Sequence, residues 1–194
     1  MAAAYFLRKG GMEVTLFEAK ESLGGVVRHV IPPFRISEDA IEKDAEILRK
    51  MQVDIHCNTK LESLEELKKQ GYTKIVLAVG APVQGSLKLE SGMPKNALEF
   101  LAEFKQTDGK VSLGKHVVVI GGGNTAMDTA RAAKRNAGVE HVYLIYRRTR
   151  RYMPADEEEL VMALEDGVEF KEFIVSCKTG KRPAFLQSDA AFRL

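Results

Sequence analysis

The sequence predicts an α/β chain built from two parallel-sheet units, and three observations carry that expectation. Strand-type and helix-type apolar periods alternate along most of the length. A glycine turn at residue 121 joins a buried-type strand to an amphipathic helix, and residues 81–113 are richer in Gly, Pro and Ser, as a connection between units is.

Each element has its own warrant. Residues 1–9 read as the second half of a helix that stops at Gly10 and Gly11, where a left-handed backbone costs little. A strand follows at 13–17. Ser37 opens the next helix, with Glu38 and Asp39 in its first turn and Ile41, Ala45 and Leu48 on one face. After it come a strand at 53–56, a short helix opened by Ser63 with Glu66 at the capping-box position, and a strand at 74–79 that closes the first unit at Gly80. The connection carries a helical stretch at 97–104. The second unit reads as a strand at 116–120, the glycine turn, a helix at 124–136 stopped by Gly138, and a strand at 141–146. An arginine-rich loop, a helix at 155–166 stopped by Gly167, and a strand at 168–173 complete a βαβαβ order. The expected organisation is thus a first unit at 1–80, a connection at 81–113, a second unit at 114–173, and an unassigned tail at 174–194, which shows no clear period.

Composition narrows the function classes. The 194 residues are 45% hydrophobic, and 29 Lys and Arg face 27 Asp and Glu, so a net charge of +2 gives no general attraction to nucleic acid or an acidic membrane. No apolar run approaches the roughly 18 residues of a membrane span, and no secretory signal pattern opens the chain, so the expected compartment is the cytoplasm. Cys57 and Cys177 stand far apart without a CxxC or Cys/His pairing, which argues against a disulfide framework, a zinc site or an iron-sulfur ligand set. No metal ligands are expected.

The strongest motif is HVVVIGGGNTAMDTARAA. Gly121-x-Gly123-x-x-Ala126 stands between a strand and a helix, the setting that gives such a motif its specificity for a dinucleotide. Gly121 permits the turn out of the strand, Gly123 lets the main chain approach a pyrophosphate, and Ala126 allows close helix-strand packing. The helix-start amides of Asn124 and Thr125 then face the anion. The end of the next strand decides between the two nicotinamide dinucleotides. An NAD site places a carboxylate there for the ribose 2′-hydroxyl, and such a carboxylate would repel the 2′-phosphate of NADP. Here the strand ends Tyr146-Arg147-Arg148, with Arg150 and Arg151 following. A run of charge is ordinarily a solvated face, but four arginines in five positions at this strand end favour NADP(H), since a guanidinium matches two phosphate oxygens at once.

The first unit shows a weaker counterpart. Glu18 ends the strand VTLF and precedes Gly24 and Gly25, an arrangement by which a carboxylate holds an adenosine ribose. Fingerprint glycines belong about 20 residues before such an acid. Only 17 residues precede Glu18, and they hold no G-x-G-x-x-G. The expectation is therefore a chain that enters midway along the helix following an absent first strand and glycine turn.

Several unlike segments, in order, resemble the family of the glutamate synthase small subunit (beta chain), FAD/NAD(P)-dependent oxidoreductases that include the flavin module of dihydropyrimidine dehydrogenase and subunits assigned to selenate reduction. The segments are AAYFLRKGG, FEAKESLGGVVRHVIPPFRIS, IVLAVGA with NALEFL, VVVIGGGNTAMDTAR, and YRRTRRYMPADEEE with EDGVEF, spanning roughly residues 2–172. The resemblance implies two Rossmann-like three-layer units of the two-dinucleotide-binding flavoprotein type, the first incomplete, with an FAD domain interrupted by an NADPH domain. It implies that Glu18 binds the FAD ribose, that Gly24, Gly25 and Val26 line the flavin cofactor, and that Arg35 and Leu61 contact FAD. For NADPH it implies Gly122, Gly123, Asn124 and Thr125, then Arg147, Arg148 and Arg151. Pro154 and Glu157 to Glu159 also match, read as a helix start at Met153-Pro154 and an exposed acidic helix. The pyrophosphate turn for FAD, the returning flavin segment and a family-like tail are not found, so the chain is expected to be partial at both ends.

The implied reaction is hydride transfer from NADPH to FAD, with electrons passing to an iron-sulfur protein or domain, or to a larger catalytic subunit. Such a step needs no protein general base, and no catalytic side chain is expected. Two other readings stay open: a non-catalytic NADP(H)-binding module that has lost FAD, and a simple dehydrogenase using only the arginine-lined site, for which a downstream Tyr/Lys or His/Asp set is wanting.

Overall fold

A computed structural model describes residues 1–81, 94–178, 184–187 and 190–193, with side chains placed at 1–81 and 94–173. Part of the expected connection, 82–93, and residues 179–183, 188–189 and 194 of the tail lie outside the described residues. By compactness the chain divides into Met1–Pro82 and Val83–Leu194.

In the first unit, helix α1 (Ala2–Lys9), strand β1 (Thr15–Phe17), helix α2 (Gly25–His29), helix α3 (Glu38–Lys50), strand β2 (Asp54–His56) and helix α4 (Leu64–Lys69) follow the predicted order. The turn after α1 uses Gly11, at φ +84°, as its left-handed residue, and Gly10 stays right-handed. Ser37 caps α3 by accepting from the Ala40 N–H at 3.3 Å, and Ile41, Ala45 and Leu48 are its buried face. Strands β1 and β2 pair in parallel, Leu16 opposite Ile55. Ala4, Leu23, Ala45, Leu48 and Val53 form the core of this unit. The Arg8 guanidinium ties α1 to the end of α3 by donating to the Met51 carbonyl at 2.7 Å.

The strand expected at 74–79 is not formed. Val76, Leu77 and Val79 are exposed, and the segment has no ladder partner among the described residues. In a doubly wound sheet the first strand separates the second from the fourth. No described strand lies in that slot, so the IVLAV segment keeps its strand-type composition without a neighbour to pair with. Both β1 and β2 are also shorter than expected, their first residues lying beyond the ladder.

The second unit holds helix α5 (Ala97–Gln106), strand β3 (His116–Ile120), helix α6 (Asn124–Arg135), strand β4 (His141–Tyr146), helix α7 (Glu157–Glu165) and strand β5 (Glu169–Glu172). The sheet order β3-β4-β5 is parallel throughout, with Ile120 opposite Ile145 and Tyr146 opposite Glu172. Helix α5 packs against α6 through a face of Phe100, Leu101 and Phe104. Asn136 ties the end of α6 to the segment before β3: its Oδ1 accepts from the Val111 N–H and its Nδ2 donates to the Val111 carbonyl, both at 2.9 Å. Helices α6 and α7 are joined by Asp166, which accepts from Arg131 Nε at 2.7 Å and from Arg135. Burial alone would raise the Asp166 carboxyl, but the Arg135 and Arg131 hydrogen bonds and charges outweigh it and hold the group below the ordinary carboxylate range.

The arginine-rich loop contains a 3₁₀ turn, Arg150–Tyr152, and α7 begins at Glu157, so the helix start expected at Met153-Pro154 is corrected. Pro154 belongs to the extended stretch before the cap residue Asp156. In the tail, strands β6 (Ile174–Lys178), β7 (Ala184–Gln187) and β8 (Ala190–Arg193) form an antiparallel sheet. Strands of four or five residues leave no period to read. Among the described residues no helix is long and apolar enough to cross a membrane.

Candidate functional site

The candidate nucleotide site lies at the carboxyl ends of β3 and β4, the edge of an open parallel sheet where ligands dock. Gly121 leaves β3 at φ +150°, and a Cβ there would sit 3.1 Å from the Ala126 Cβ, so both small residues are needed for the turn to lie against α6. Gly121 N–H donates back to the Ile145 carbonyl at 3.0 Å, anchoring the turn to β4. At Gly122 the constraint is steric: a Cβ would meet the Tyr146 ring at 2.5–3.0 Å. Gly123 caps α6 with its carbonyl, which accepts from Ala126 and Met127. The amides of Asn124 and Thr125 have no acceptor among the described residues, and both residues are exposed. The first turn of α6 carries no acid and its last turn carries Lys134 and Arg135, so the helix leaves its positive dipole end open to an anion.

The 147–156 loop folds back beside this turn. Ala155 N–H donates to the Gly122 carbonyl at 3.0 Å, and Asp156 N–H donates to Asn124 Oδ1 at 3.1 Å. Asn124 Nδ2 returns a bond to Asp156 Oδ2 at 3.1 Å, and the Tyr146 hydroxyl donates to the Tyr152 carbonyl at 2.7 Å. Arg147, Arg148 and Arg151 are exposed and form no ion pair with a described residue. Arg150 differs. Its guanidinium donates to Glu157 at 2.9 Å and its N–H to Glu172 at 2.7 Å, so much of its charge is already answered. Arg150, Arg151 and Asp156 also line a hollow of about 450 Å³ against α7.

The structure therefore brings Gly121, Gly122, Gly123, Asn124, Thr125 and Ala126 together with the loop bearing Arg147, Arg148 and Arg151. Tyr146 and Asp156, which tie the two parts, were not singled out from sequence. Tyr146 stands directly before the arginine pair, and Asp156 directly before an acidic helix start; the second is a legible N-cap signal, whereas nothing local signals the first.

In the first unit, Glu18 stands at the end of β1, where its N–H bonds the His56 carbonyl and its Oε1 accepts from the Lys20 N–H at 2.9 Å. The loop after β2 runs beside it: Thr59 N–H donates to the Glu18 carbonyl and Asn58 N–H to the Lys20 carbonyl, both at 2.8 Å. Leu61, two residues on, is exposed at the surface. Gly24, at φ +124°, could not carry a side chain, because a Cβ would meet Arg28 Cβ at 2.7 Å and Ile41 at 3.1 Å. Gly25 is left-handed at φ +51° and opens α2, with Val26 exposed behind it. Arg35 closes a turn onto the Pro32 carbonyl at 2.9 Å. Gly24 and Gly25 lead into the five-residue α2, and among the described residues of this unit no strand runs through a G-x-G-x-x-G turn into a helix.

A profile of the pyridine nucleotide-disulphide oxidoreductase family matches residues 1–189. The chain belongs to that family. The E. coli K12 protein named "Putative oxidoreductase YgfK" is 43% identical over 176 residues, covering 88% of this chain and 17% of that protein. The NADPH-Fe(3+) oxidoreductase subunit beta of Geobacter sulfurreducens is 40% identical over 182 residues, covering 88% and 27%. The glutamate synthase (NADPH) small chain of Azospirillum brasilense is 34% identical over 188 residues, covering 88% and 38%. This member of the pyridine nucleotide-disulphide oxidoreductase family thus spans 17 to 38% of the length of these three relatives. A solved 2-naphthoyl-CoA reductase complex superposes with a TM-score of 0.74 at 17% identity, covering 98% of this chain and 29% of that one. Histamine dehydrogenase from Rhizobium sp. 4-9 gives 0.71 at 17%, covering 99% and 32%. Those two likenesses show the α/β fold.

Proposed function

We propose that the second unit binds NADP(H) and that the chain is the NADPH-oxidising part of a flavoprotein oxidoreductase. The observation that carries this reading is the pairing of a helix start whose Asn124 and Thr125 amides have no acceptor among the described residues with three arginines that form no ion pair with a described residue, on a loop hydrogen-bonded to the same glycine turn. The residues fit the nucleotide. The amides of Asn124 and Thr125 receive the diphosphate, Gly121 and Gly122 keep side chains out of its way, and Arg147, Arg148 and Arg151 answer the 2′-phosphate. The names of the relatives, an NADPH-Fe(3+) oxidoreductase subunit and an NADPH glutamate synthase chain, agree with that preference.

On the flavin side the fit is partial. Glu18 is placed to accept from a ribose hydroxyl, and Gly24, Gly25, Val26, Arg35 and Leu61 lie on loops of the same unit, but the described residues supply no diphosphate turn. A bound FAD would provide the two-electron acceptor; the chain's own residues orient the nucleotide and keep its phosphates neutralised. The proposed electron acceptor is an iron-sulfur protein or domain, or a larger catalytic subunit, consistent with relatives named as a small chain and a beta subunit. A second reading is a unit that binds NADP(H) without FAD. Visible flavin absorbance in the purified chain separates the two.

The test of nucleotide choice is Arg148→Glu, titrated with NADPH and NADH by calorimetry. Replacing a charge-assisted contact by repulsion weakens NADPH by roughly ten- to a hundredfold and leaves NADH nearly unchanged. Equal loss of both nucleotides would refute recognition of the 2′-phosphate.

A further inference from the structure

The Tyr146 side chain does two things at once. Its ring, with the residue only 9% exposed, fills the space where a side chain on Gly122 would be, and its hydroxyl donates to the Tyr152 carbonyl across the base of the 147–151 loop. The ring therefore belongs to the diphosphate turn and the hydroxyl to the arginine loop. We propose that Tyr146 is a positioning residue for 2′-phosphate discrimination, its hydroxyl holding the arginine loop in register with the glycine turn. The inference deepens the NADP(H) reading above and rests on it.

The physical argument is preorganisation. Arg147, Arg148 and Arg151 are exposed, long and rotamer-rich, so a phosphate that recruits them must order both side chains and backbone. A backbone already fixed removes part of that cost before the nucleotide arrives. Its ties are Tyr146 to Tyr152, the Arg150 N–H to Glu172, the Arg150 guanidinium to Glu157, Ala155 to Gly122, and Asn124 with Asp156. Two of them hold the loop's far end, at 155–156. Among the described residues two side chains accept from or donate to the backbone of the 3₁₀ turn that carries Arg151, Glu172 on the Arg150 N–H and Tyr146 on the Tyr152 carbonyl, and of these Tyr146 is the one whose ring also packs at Gly122. NADH, lacking the 2′-phosphate, makes no use of those arginines, so the hydroxyl matters for one nucleotide and not the other.

The test is Tyr146→Phe in the 194-residue chain, which keeps the ring against Gly122 and deletes only the hydroxyl. Calorimetric titration with NADPH and with NADH is expected to show NADPH weakened by about three- to tenfold and NADH unchanged within twofold. Limited trypsin digestion supplies a readout without nucleotide. Cleavage after Arg147, Arg148, Arg150 and Arg151 should accelerate severalfold in the variant, while cleavage at Lys68 and Lys69 of α4 stays at the wild-type rate. A wild type that prefers NADPH and a variant with the same preference would overturn the role of Tyr146 alone. Equal weakening of both nucleotides, or faster cleavage everywhere, would reduce Tyr146 to a general structural residue and overturn it as well. A wild type without any NADPH preference would overturn the NADP(H) reading and this inference with it.

Discussion

Gly122→Ala is the sharpest perturbation available, because the structure gives the size of the collision it creates. The added methyl would lie 2.5 Å from Tyr146 Cε2, 2.6 Å from Cδ2 and 3.0 Å from Cζ. Carbon atoms in contact stand about 3.5 Å or more apart, so something must move by roughly 1 Å. The ring is not free to yield, since it is buried and its hydroxyl is committed to the Tyr152 carbonyl at 2.7 Å. Overpacking of this kind costs about 1–3 kcal/mol, and losing the hydroxyl bond adds about 1 kcal/mol, giving an expected penalty of roughly 2–4 kcal/mol. Urea unfolding of wild type, Gly122→Ala, Tyr146→Leu and the double variant measures it as a cycle. Leucine removes the ring atoms, so the glycine penalty should fall by at least about 1 kcal/mol in that background. A Gly122→Ala chain within 0.5 kcal/mol of wild type, or the same penalty in both backgrounds, would refute the claim that the ring fills the space a side chain at 122 would need; ~0.5 kcal/mol is the ordinary scatter of uninvolved substitutions.

Three further outcomes follow from the described contacts. Asp166→Asn removes the carboxylate shared by Arg131 and Arg135 and should cost about 1–3 kcal/mol at neutral pH in urea unfolding. Because the folded carboxyl is held below its ordinary 3.8, its contribution is present above that value and fades as pH falls through the lowered one, so the variant and wild type should converge in acid; a penalty independent of pH would contradict the pairing. Asn136→Ala strands the buried Val111 N–H and carbonyl and should cost about 2–4 kcal/mol, whereas Asn136→Asp, which keeps the acceptor, should retain part of that; a loss under ~0.5 kcal/mol would show the contact to be incidental. Backbone amides at 75–79 should exchange with deuterium far faster than those of β3 and β4, and slow exchange there would reinstate the strand that the structure denies.

What the sequence made legible were properties carried by contiguous residues. The HVVVI run, the glycines after it and the stop at Gly138 all report on their own backbone, and β3, α6 and β4 lie where they were expected. The α3 cap at Ser37 and its buried stripe are equally local. A strand, by contrast, is a relation between two segments: IVLAV has the composition of one, and among the described residues no segment pairs with it. The same limit hid the support of the candidate site. Tyr146 reaches Tyr152 by folding a loop back, and Asp156 meets Asn124 from 32 positions away, which no spacing rule encodes. Nor does the run of four arginines reveal that Arg150 is answered by Glu157 while Arg147, Arg148 and Arg151 form no ion pair with a described residue.

The two units differ in how much of a nucleotide site each assembles from its own residues, and that difference makes two properties separable. In the second unit the turn, the helix start, the arginines and the described ties among them fall between Gly121 and Glu172, inside a three-stranded parallel ladder. In the first unit Glu18 lies at the end of a two-stranded sheet, and its loop contacts run to Asn58 and Thr59, with no diphosphate turn among the described residues. Nucleotide selectivity should therefore persist in preparations that carry no flavin, and the phosphate-dependent ratio between NADPH and NADH should be the same in yellow and colourless fractions. A ratio that appeared only when flavin was present would mean that the arginine loop is not the element that reads the phosphate.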